Sequence, residues 1–154
     1  MPSAITITGT RSTEHRAKAD YECIFAEYLG PFARRGVAFY LGGARGIDSL
    51  ALLWLAVETG ADLHVVVPGT LAEQPADARE AVRMSRERGR LAELVELKSP
   101  VHPSVESYHR RNRWMVDRSD FVIGFPRVAD KSSGTWYTLE YAALKDKARL
   151  ILPI

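Results

Sequence analysis

The chain has 154 residues, of which 46% are hydrophobic, and its formal net charge is +2 at pH 7. This length and apolar content allow one full core without disulfides or structural metal ions, so we expect a single domain over residues 1–154. The small net charge alone gives no support for a nucleic-acid partner. The single cysteine, Cys23, excludes an intrachain disulfide, and its apolar helical surroundings predict that it packs in the core. Without a signal-like or membrane-spanning segment, we expect a cytoplasmic protein with no membrane partner.

Apolar runs that alternate with helical patterns predict the order of strands and helices along the chain. The predicted strands cover residues 4–8, 37–41, 63–67, 94–97, 121–125 and 149–152. The predicted helices cover residues 14–35 with an interruption at 30–31, then 47–58 with Gly60 as the C-terminal cap, 75–90, a segment running to about 119, and 135–145. Strands that are apolar on both faces and alternate with helices indicate a covered parallel sheet. The predicted fold class is α/β, a single Rossmann-like domain with a mostly parallel sheet and helices on both faces.

Three turns combine glycine with hydroxyl or guanidinium side chains, each where a predicted strand ends and a helix begins. They are Gly9-Thr10-Arg11, Gly42-Gly43-Ala44-Arg45-Gly46-Ile47-Asp48 and Ser133-Gly134-Thr135. The unpaired N–H groups and the dipole of a helix start favour an anion, and glycine lets a phosphate approach the backbone closely. Because parallel strands end at one edge of their sheet, we predict that the three turns line one cleft for a phosphate-bearing ligand.

The second turn is the most specific of the three. Its three glycines cost more backbone entropy than a simple turn requires, and Arg45 adds a donor fork for a phosphate. Asp48 falls in the first helical turn, where a carboxylate either favours the helix dipole or contacts a ribose. The pattern matches neither Gly-x-Gly-x-x-Gly nor a Walker motif, which disfavours a dinucleotide dehydrogenase and a P-loop NTPase. The four histidines show no metal-ligand spacing, so we expect no metal and no cofactor.

The other two turns also have simpler explanations. Gly9-Thr10-Arg11 fits a tight turn with a solvated arginine. Ser133 and Thr135, which follow an exposed loop at residues 129–132, are good helix caps as well as good phosphate ligands. Further along the same helix, Glu140 is expected to face inward, where a carboxylate acts as an acid or base; a surface ion pair is the alternative.

One predicted helix carries a polar residue in an apolar stripe. Asn112 shares a helical face with Tyr108 and Met115, and a buried amide must find hydrogen-bond partners. Arg111 and Arg113 flank this stripe on opposite sides. In a ligand site, Asn112 would organise the pocket while one or both arginines reach the ligand. The alternative is a basic helix with a buried structural asparagine.

The motifs Gly42-Gly43-Ala44-Arg45-Gly46-Ile47-Asp48, Arg111-Asn112-Arg113 and Ser133-Gly134-Thr135, in this order, resemble the core of the DprA/Smf proteins. They also resemble the wider SLOG superfamily, which includes YpsA-like proteins and LOG-type, lysine decarboxylase-like phosphoribohydrolases. The resemblance covers nearly the whole chain as one SLOG Rossmann domain. It implies a pocket for nucleotides or nucleotide-derived ligands, and in DprA-like proteins these regions are associated with single-stranded DNA binding. SLOG relatives often form dimers, which implies a homo-oligomer here, with Trp54, Trp114 and Trp136 as exposed interface candidates.

We therefore predict a protein that senses or processes a nucleotide or a nucleotide-derived phosphate ligand in a SLOG-type pocket. DprA/Smf-like binding of single-stranded DNA is one alternative. LOG-like hydrolysis of the N-glycosidic bond of nucleoside monophosphates is the other, with Glu140 and then Asp48 as candidate catalytic carboxylates. LOG enzymes carry a Pro-Gly-Gly-x-Gly-Thr-x-x-Glu pattern, and Glu140 follows Gly134-Thr135 at a longer spacing, so their catalytic acid is not carried over to it.

Overall fold

Six parallel strands form one sheet in the order β4-β3-β2-β1-β5-β6 in the computed structural model, which describes residues 1–131 and 133–154. The strands are β1 (Ala4–Gly9), β2 (Ala38–Leu41), β3 (Asp62–Val67), β4 (Leu91–Glu96), β5 (Phe121–Phe125) and β6 (Ala148–Ile151). The helices are α1 (Lys18–Tyr28), α2 (Ile47–Glu58), α3 (Ala76–Glu87), α4 (Val105–Asp117) and α5 (Gly134–Leu144), with a 3-10 turn at Leu71–Glu73. The α/β, Rossmann-like fold class is confirmed. Ser132, in the predicted exposed loop, lies outside the described residues.

The core lies on both faces of the sheet, because neighbouring residues of a strand point to opposite sides. Ile123 of β5 belongs to a large cluster with residues of α1, α2 and α3. The preceding residue, Val122, belongs to a smaller cluster with Val116 of α4 and Leu139 of α5. Helices therefore cover both faces, as the doubly apolar strands predict.

Several element boundaries differ from the sequence-based expectation. Helix α1 is shorter than the predicted 14–35. It ends before Pro31, because proline cannot continue a helix. Cys23 is exposed, so its predicted core packing is wrong. It lies two residues after buried Tyr21 and two before buried Phe25, which places it on the opposite side of the helix.

Helix α2 ends without the predicted glycine cap. Its C-cap is Thr59, in an extended conformation, whose hydroxyl donates to the Leu55 carbonyl at 2.7 Å and whose backbone N–H donates to the same oxygen at 3.2 Å. The threonine thus satisfies a helix-end carbonyl, and Gly60 is not needed in the left-handed conformation of a glycine cap.

The order of the strands determines where the site can form. Strand β1 lies between β2 and β5, in parallel pairing with both. The turns that follow these three strands therefore emerge side by side at the carboxyl edge of the sheet. Among the helices of the described chain, none has the length and apolar character needed to cross a membrane.

Candidate ligand-binding site

A cavity of about 350 Å³ opens at the carboxyl ends of β1 and β5, and we call it the edge cavity. The residues from the predicted site that line it are Gly9, Thr10, Arg11, Asp48, Arg111, Asn112, Ser133, Gly134 and Thr135. The remaining predicted residues, which do not line it, are Gly42, Gly43, Arg45, Gly46, Arg113 and Glu140. A volume of this size falls within the range of small-molecule sites. The structure thus brings parts of all three turns to one cavity. Three glycines of the second turn, Gly42, Gly43 and Gly46, are buried and do not line it.

Gly46 joins the first two turns by close backbone contact. It has φ of 77°, and a Cβ there would lie 2.5 Å from the Thr10 carbonyl oxygen and 2.7 Å from the Arg11 Cα. The next residue, Ile47, donates its backbone N–H to the Thr10 carbonyl at 3.1 Å. Only glycine combines this left-handed backbone with so close an approach. Gly46 therefore holds the first turn against the start of α2.

Arg111 is buried, with 4% of its surface exposed, and its Nε and Nη1 donate to protein atoms. Its Nη1 donates to the carbonyl of Gly42 and, at 3.3 Å, to that of Val66, while its Nε donates to the Asn112 Oδ1 at 2.7 Å. A Cβ on Gly42 would lie 2.6 Å from that Nη1, so Gly42 makes room for the guanidinium. Burial lowers the pKa of Arg111 to about 10, and the charge of Asp48 opposes the shift. Arg111 braces α4 against the ends of β2 and β3.

Asp48 places a carboxylate in the wall of the edge cavity. Its side chain is buried in the first turn of α2, and the Ala44 backbone N–H donates to its Oδ2 at 3.3 Å. Burial raises the pKa of Asp48, and the charge of Arg111 opposes this. Asp48 stands at a helix start and also lines the cavity, so its position fits either explanation, and contact with a ribose stays a prediction.

The N-terminus of α5 forms the opposite wall of the edge cavity. Ser133 is the N-cap, and its hydroxyl accepts the Trp136 backbone N–H at 3.4 Å, as the capping explanation predicts. The first residue of the helix, Gly134, is exposed, and a Cβ there would lie 3.8 Å from the Asn112 Nδ2, an ordinary van der Waals contact. Backbone N–H groups at a helix start, with the positive end of the dipole, favour an anion at this opening.

The other three arginines of the predicted motifs differ in whether their side chains line the edge cavity. Arg11 is exposed, and its guanidinium lies 4.7 Å from the centre of the Tyr108 ring, a cation–π contact that leaves its N–H edge accessible. Arg45 is exposed outside the cavity. Arg113 points away from it, donating to the Glu106 Oε1 at 2.5 Å and to the Tyr137 hydroxyl at 2.8 Å.

Glu140 is exposed, so the expectation that it faces inward is wrong. The buried face of α5 consists of Thr135, Thr138, Leu139 and Ala142, and Glu140 follows Leu139 on the solvent side. The three tryptophans, expected to be exposed, are each half-buried instead. Trp54 contacts Phe25 in the core, and Trp136 packs against the smaller cluster. Apolar packing within the chain uses much of their surface.

Two residues of α4 that line the edge cavity, Tyr108 and His109, were not among the predicted site residues. Tyr108 reads as part of an apolar stripe, and His109 lacks the spacing of a metal ligand. The signal that could have found them is adjacency, since they precede the Arg111-Asn112 pair by one helical turn or less. Within the described ranges, 1–131 and 133–154, no group of three or more potential metal-ligating side chains is close enough to hold an ion.

Comparison with known proteins gives one family and a similar structure. The family model described as DNA recombination-mediator protein A matches residues 1–154. Curated proteins give no significant sequence match. A solved structure of DNA processing protein A from Helicobacter pylori, described for its single-stranded DNA binding mode, is similar, with a TM-score of 0.71 and 22% identity. The match covers 99% of this chain and 66% of that one, so this chain spans slightly less than two thirds of its length.

Proposed function

Because the chain belongs to the DNA recombination-mediator protein A family, we propose that it binds single-stranded DNA at the edge cavity. The observation that carries the proposal is that the exposed N-terminus of α5 at Gly134 and the exposed Arg11 line the same cavity. Backbone N–H groups at a helix start and an arginine fork are both donors suited to a phosphate. The strand's backbone is held there, while its bases remain unpaired.

The charge around this edge supports the proposal better than the net charge of the chain. Cationic residues on the segments that follow β1, β2 and β5 are Arg11, Arg16, Arg45, Arg127 and Lys131. Glu14 and Asp130 lie on the same segments, so the edge keeps an excess of positive charge. Arg127 donates to the His15 Nδ1 at 3.1 Å, which ties two of these segments together. A phosphate backbone is bound through local positive charge of this kind, even when the net charge of the protein is small.

A nucleotide or nucleotide-derived small molecule is the second candidate ligand. Asp48 favours it, because a buried carboxylate in a cavity wall accepts hydrogen bonds from sugar hydroxyls or from a base. N-glycosidic hydrolysis has weaker support, since Glu140 is exposed and lies outside the cavity. Family membership favours DNA over both.

Binding of a labelled oligothymidine, followed by fluorescence anisotropy, tests the DNA proposal. The Gly134→Ala variant adds a methyl group at the opening, whose nearest contact within residues 1–131 and 133–154 is the Asn112 Nδ2 at 3.8 Å, so the fold should persist while the phosphate is held off. We expect at least a fivefold loss of affinity. Gly60→Ala is the matched control, because its Cβ would meet only Arg35 atoms at 3.9 Å, away from the cavity. Failure of the wild-type chain to bind any oligonucleotide at low salt, or equal binding by Gly134→Ala, contradicts the proposal.

A further inference from the structure

Two aromatic rings from neighbouring helices stack at the wall of the edge cavity. The His109 imidazole of α4 and the Tyr137 phenol of α5 have centroids 3.6 Å apart and planes inclined by only 4°. His109 lines the cavity and Tyr137 does not. The imidazole therefore stands between the phenol and the cavity, with one face covered by Tyr137.

Polar contacts behind the two rings hold them in place. The Tyr137 hydroxyl accepts a hydrogen bond from the Arg113 Nη1 at 2.8 Å. The same guanidinium donates through its Nη2 to the Glu106 Oε1 at 2.5 Å. Glu106 and Arg113 are on α4, and Tyr137 is on α5, so this chain of bonds ties the two helices behind the stack. A surface positioned before the ligand arrives loses less conformational entropy on binding.

The surroundings of the imidazole favour its neutral form. Burial lowers the pKa of His109, the charge of Glu106 opposes the shift, and the charge of Arg113 adds to it. A neutral, flat ring that is partly covered favours stacking with another aromatic ring over binding an anion. The other aromatic ring of the cavity wall, Tyr108, already has the Arg11 guanidinium over its face.

We propose that one nucleobase of the bound strand stacks on the imidazole of His109, forming a base–His109–Tyr137 stack. This inference rests on the proposed DNA binding and adds a second recognition element to it. The N-terminus of α5 and His109 border the same cavity, so the phosphate and the base of one nucleotide are held on two of its walls. Stacking needs an unpaired, unstacked base, which excludes duplex DNA, and it tolerates any base because every base has an aromatic face.

An abasic oligonucleotide of equal length and charge separates stacking from phosphate binding. For the wild-type chain we expect the oligothymidine to bind about tenfold more tightly than its abasic counterpart, the loss typical of one stacked base. His109→Ala should lower oligothymidine affinity about tenfold and leave abasic affinity unchanged. His109→Phe should restore the difference, because phenylalanine keeps a flat ring. A 2-aminopurine in the strand should be quenched by the wild-type chain and by His109→Phe but not by His109→Ala.

His64→Ala is the matched control, because His64 stacks on Tyr40 over the sheet and does not line the edge cavity. It should bind both oligonucleotides like the wild-type chain. Equal affinity of the wild-type chain for thymidine and abasic strands overturns the stacking inference and leaves DNA binding intact. The inference is also overturned if His109→Ala weakens both strands equally. Absence of binding to either strand overturns the proposed function and the inference with it.

Discussion

At the scale of single residues, Arg111 and Arg113 of one motif have different structural roles. Arg111 is buried and bonds to the carbonyls of Gly42 and Val66, whereas Arg113 pairs with exposed Glu106. The sequence predicts that they flank the Asn112 stripe, and it does not tell which one turns inward. Arg111 can turn inward because Gly42, 69 residues away along the chain, has no side chain and leaves space for the guanidinium.

Truncating these two arginines should therefore have unequal effects on stability. Arg111→Ala removes the side-chain donor to the Gly42 and Val66 carbonyls and the cation that acts most strongly on Asp48, so we expect a loss of about 3 kcal/mol in the free energy of unfolding. Arg113→Ala removes a surface pair and should cost below about 1 kcal/mol. Urea denaturation followed by circular dichroism measures both. Equal losses, or a larger loss for Arg113→Ala, would show that Arg111 does not brace the sheet.

At the scale of elements, the strands are easier to predict than the ends of helices. Strands β1 and β3 are largely buried and rich in β-branched residues, which favour strands, so each is predicted to within one residue of its bounds. Strand β4 lies at the sheet edge, and its exposed Glu93 and Glu96 interrupt the apolar pattern, which is why only its second half was predicted. Glycine is the commonest helix cap and predicts a cap at Gly60, yet the Thr59 side chain satisfies the carbonyl at the end of α2.

The end of α2 gives a prediction that compares adjacent residues. Thr59→Val keeps the shape and removes the hydroxyl that donates to the Leu55 carbonyl, so we expect it to cost about 1 kcal/mol of unfolding free energy. Gly60→Ala should be neutral within about 0.5 kcal/mol, because Gly60 is not in the left-handed region and its Cβ has room. Thermal denaturation of both variants measures the difference. A larger loss for Gly60→Ala would favour the glycine cap.

At the scale of the whole molecule, the strand order explains how much of the site the sequence predicts. The rule that ligands bind at the carboxyl ends of parallel strands predicts that Gly9, Arg11 and Gly134 lie at one site, and all three line the same cavity. It could not predict that Gly46 allows the first two turns to come into close contact, because this depends on the approach of Thr10, which is distant in the sequence. The His109–Tyr137 stack was missed for a similar reason, since it forms only when α4 and α5 pack together. The expected homo-oligomer stays a prediction.

The distribution of charge over the molecule gives the last prediction. A net charge of +2 suggests weak salt dependence, whereas a basic carboxyl edge in contact with several phosphates requires a steep one. With three phosphates bound, the logarithm of the association constant should fall with the logarithm of salt concentration with a slope of roughly −2, at about 0.7 per phosphate. Arg11→Gln, at the exposed first turn in the wall of the edge cavity, should reduce the steepness by about 0.7.

Arg86→Gln is the control with the same chemical change and the same net charge, on the exposed face of α3. It should leave the slope unchanged, because α3 lies on the other side of the sheet from α4 and α5 and no residue of it lines the edge cavity. Equal effects of the two variants would mean that only the total charge matters. A wild-type slope shallower than about −0.7 would mean that a single phosphate is bound, and a mononucleotide-sized ligand would then replace the DNA strand as the better candidate.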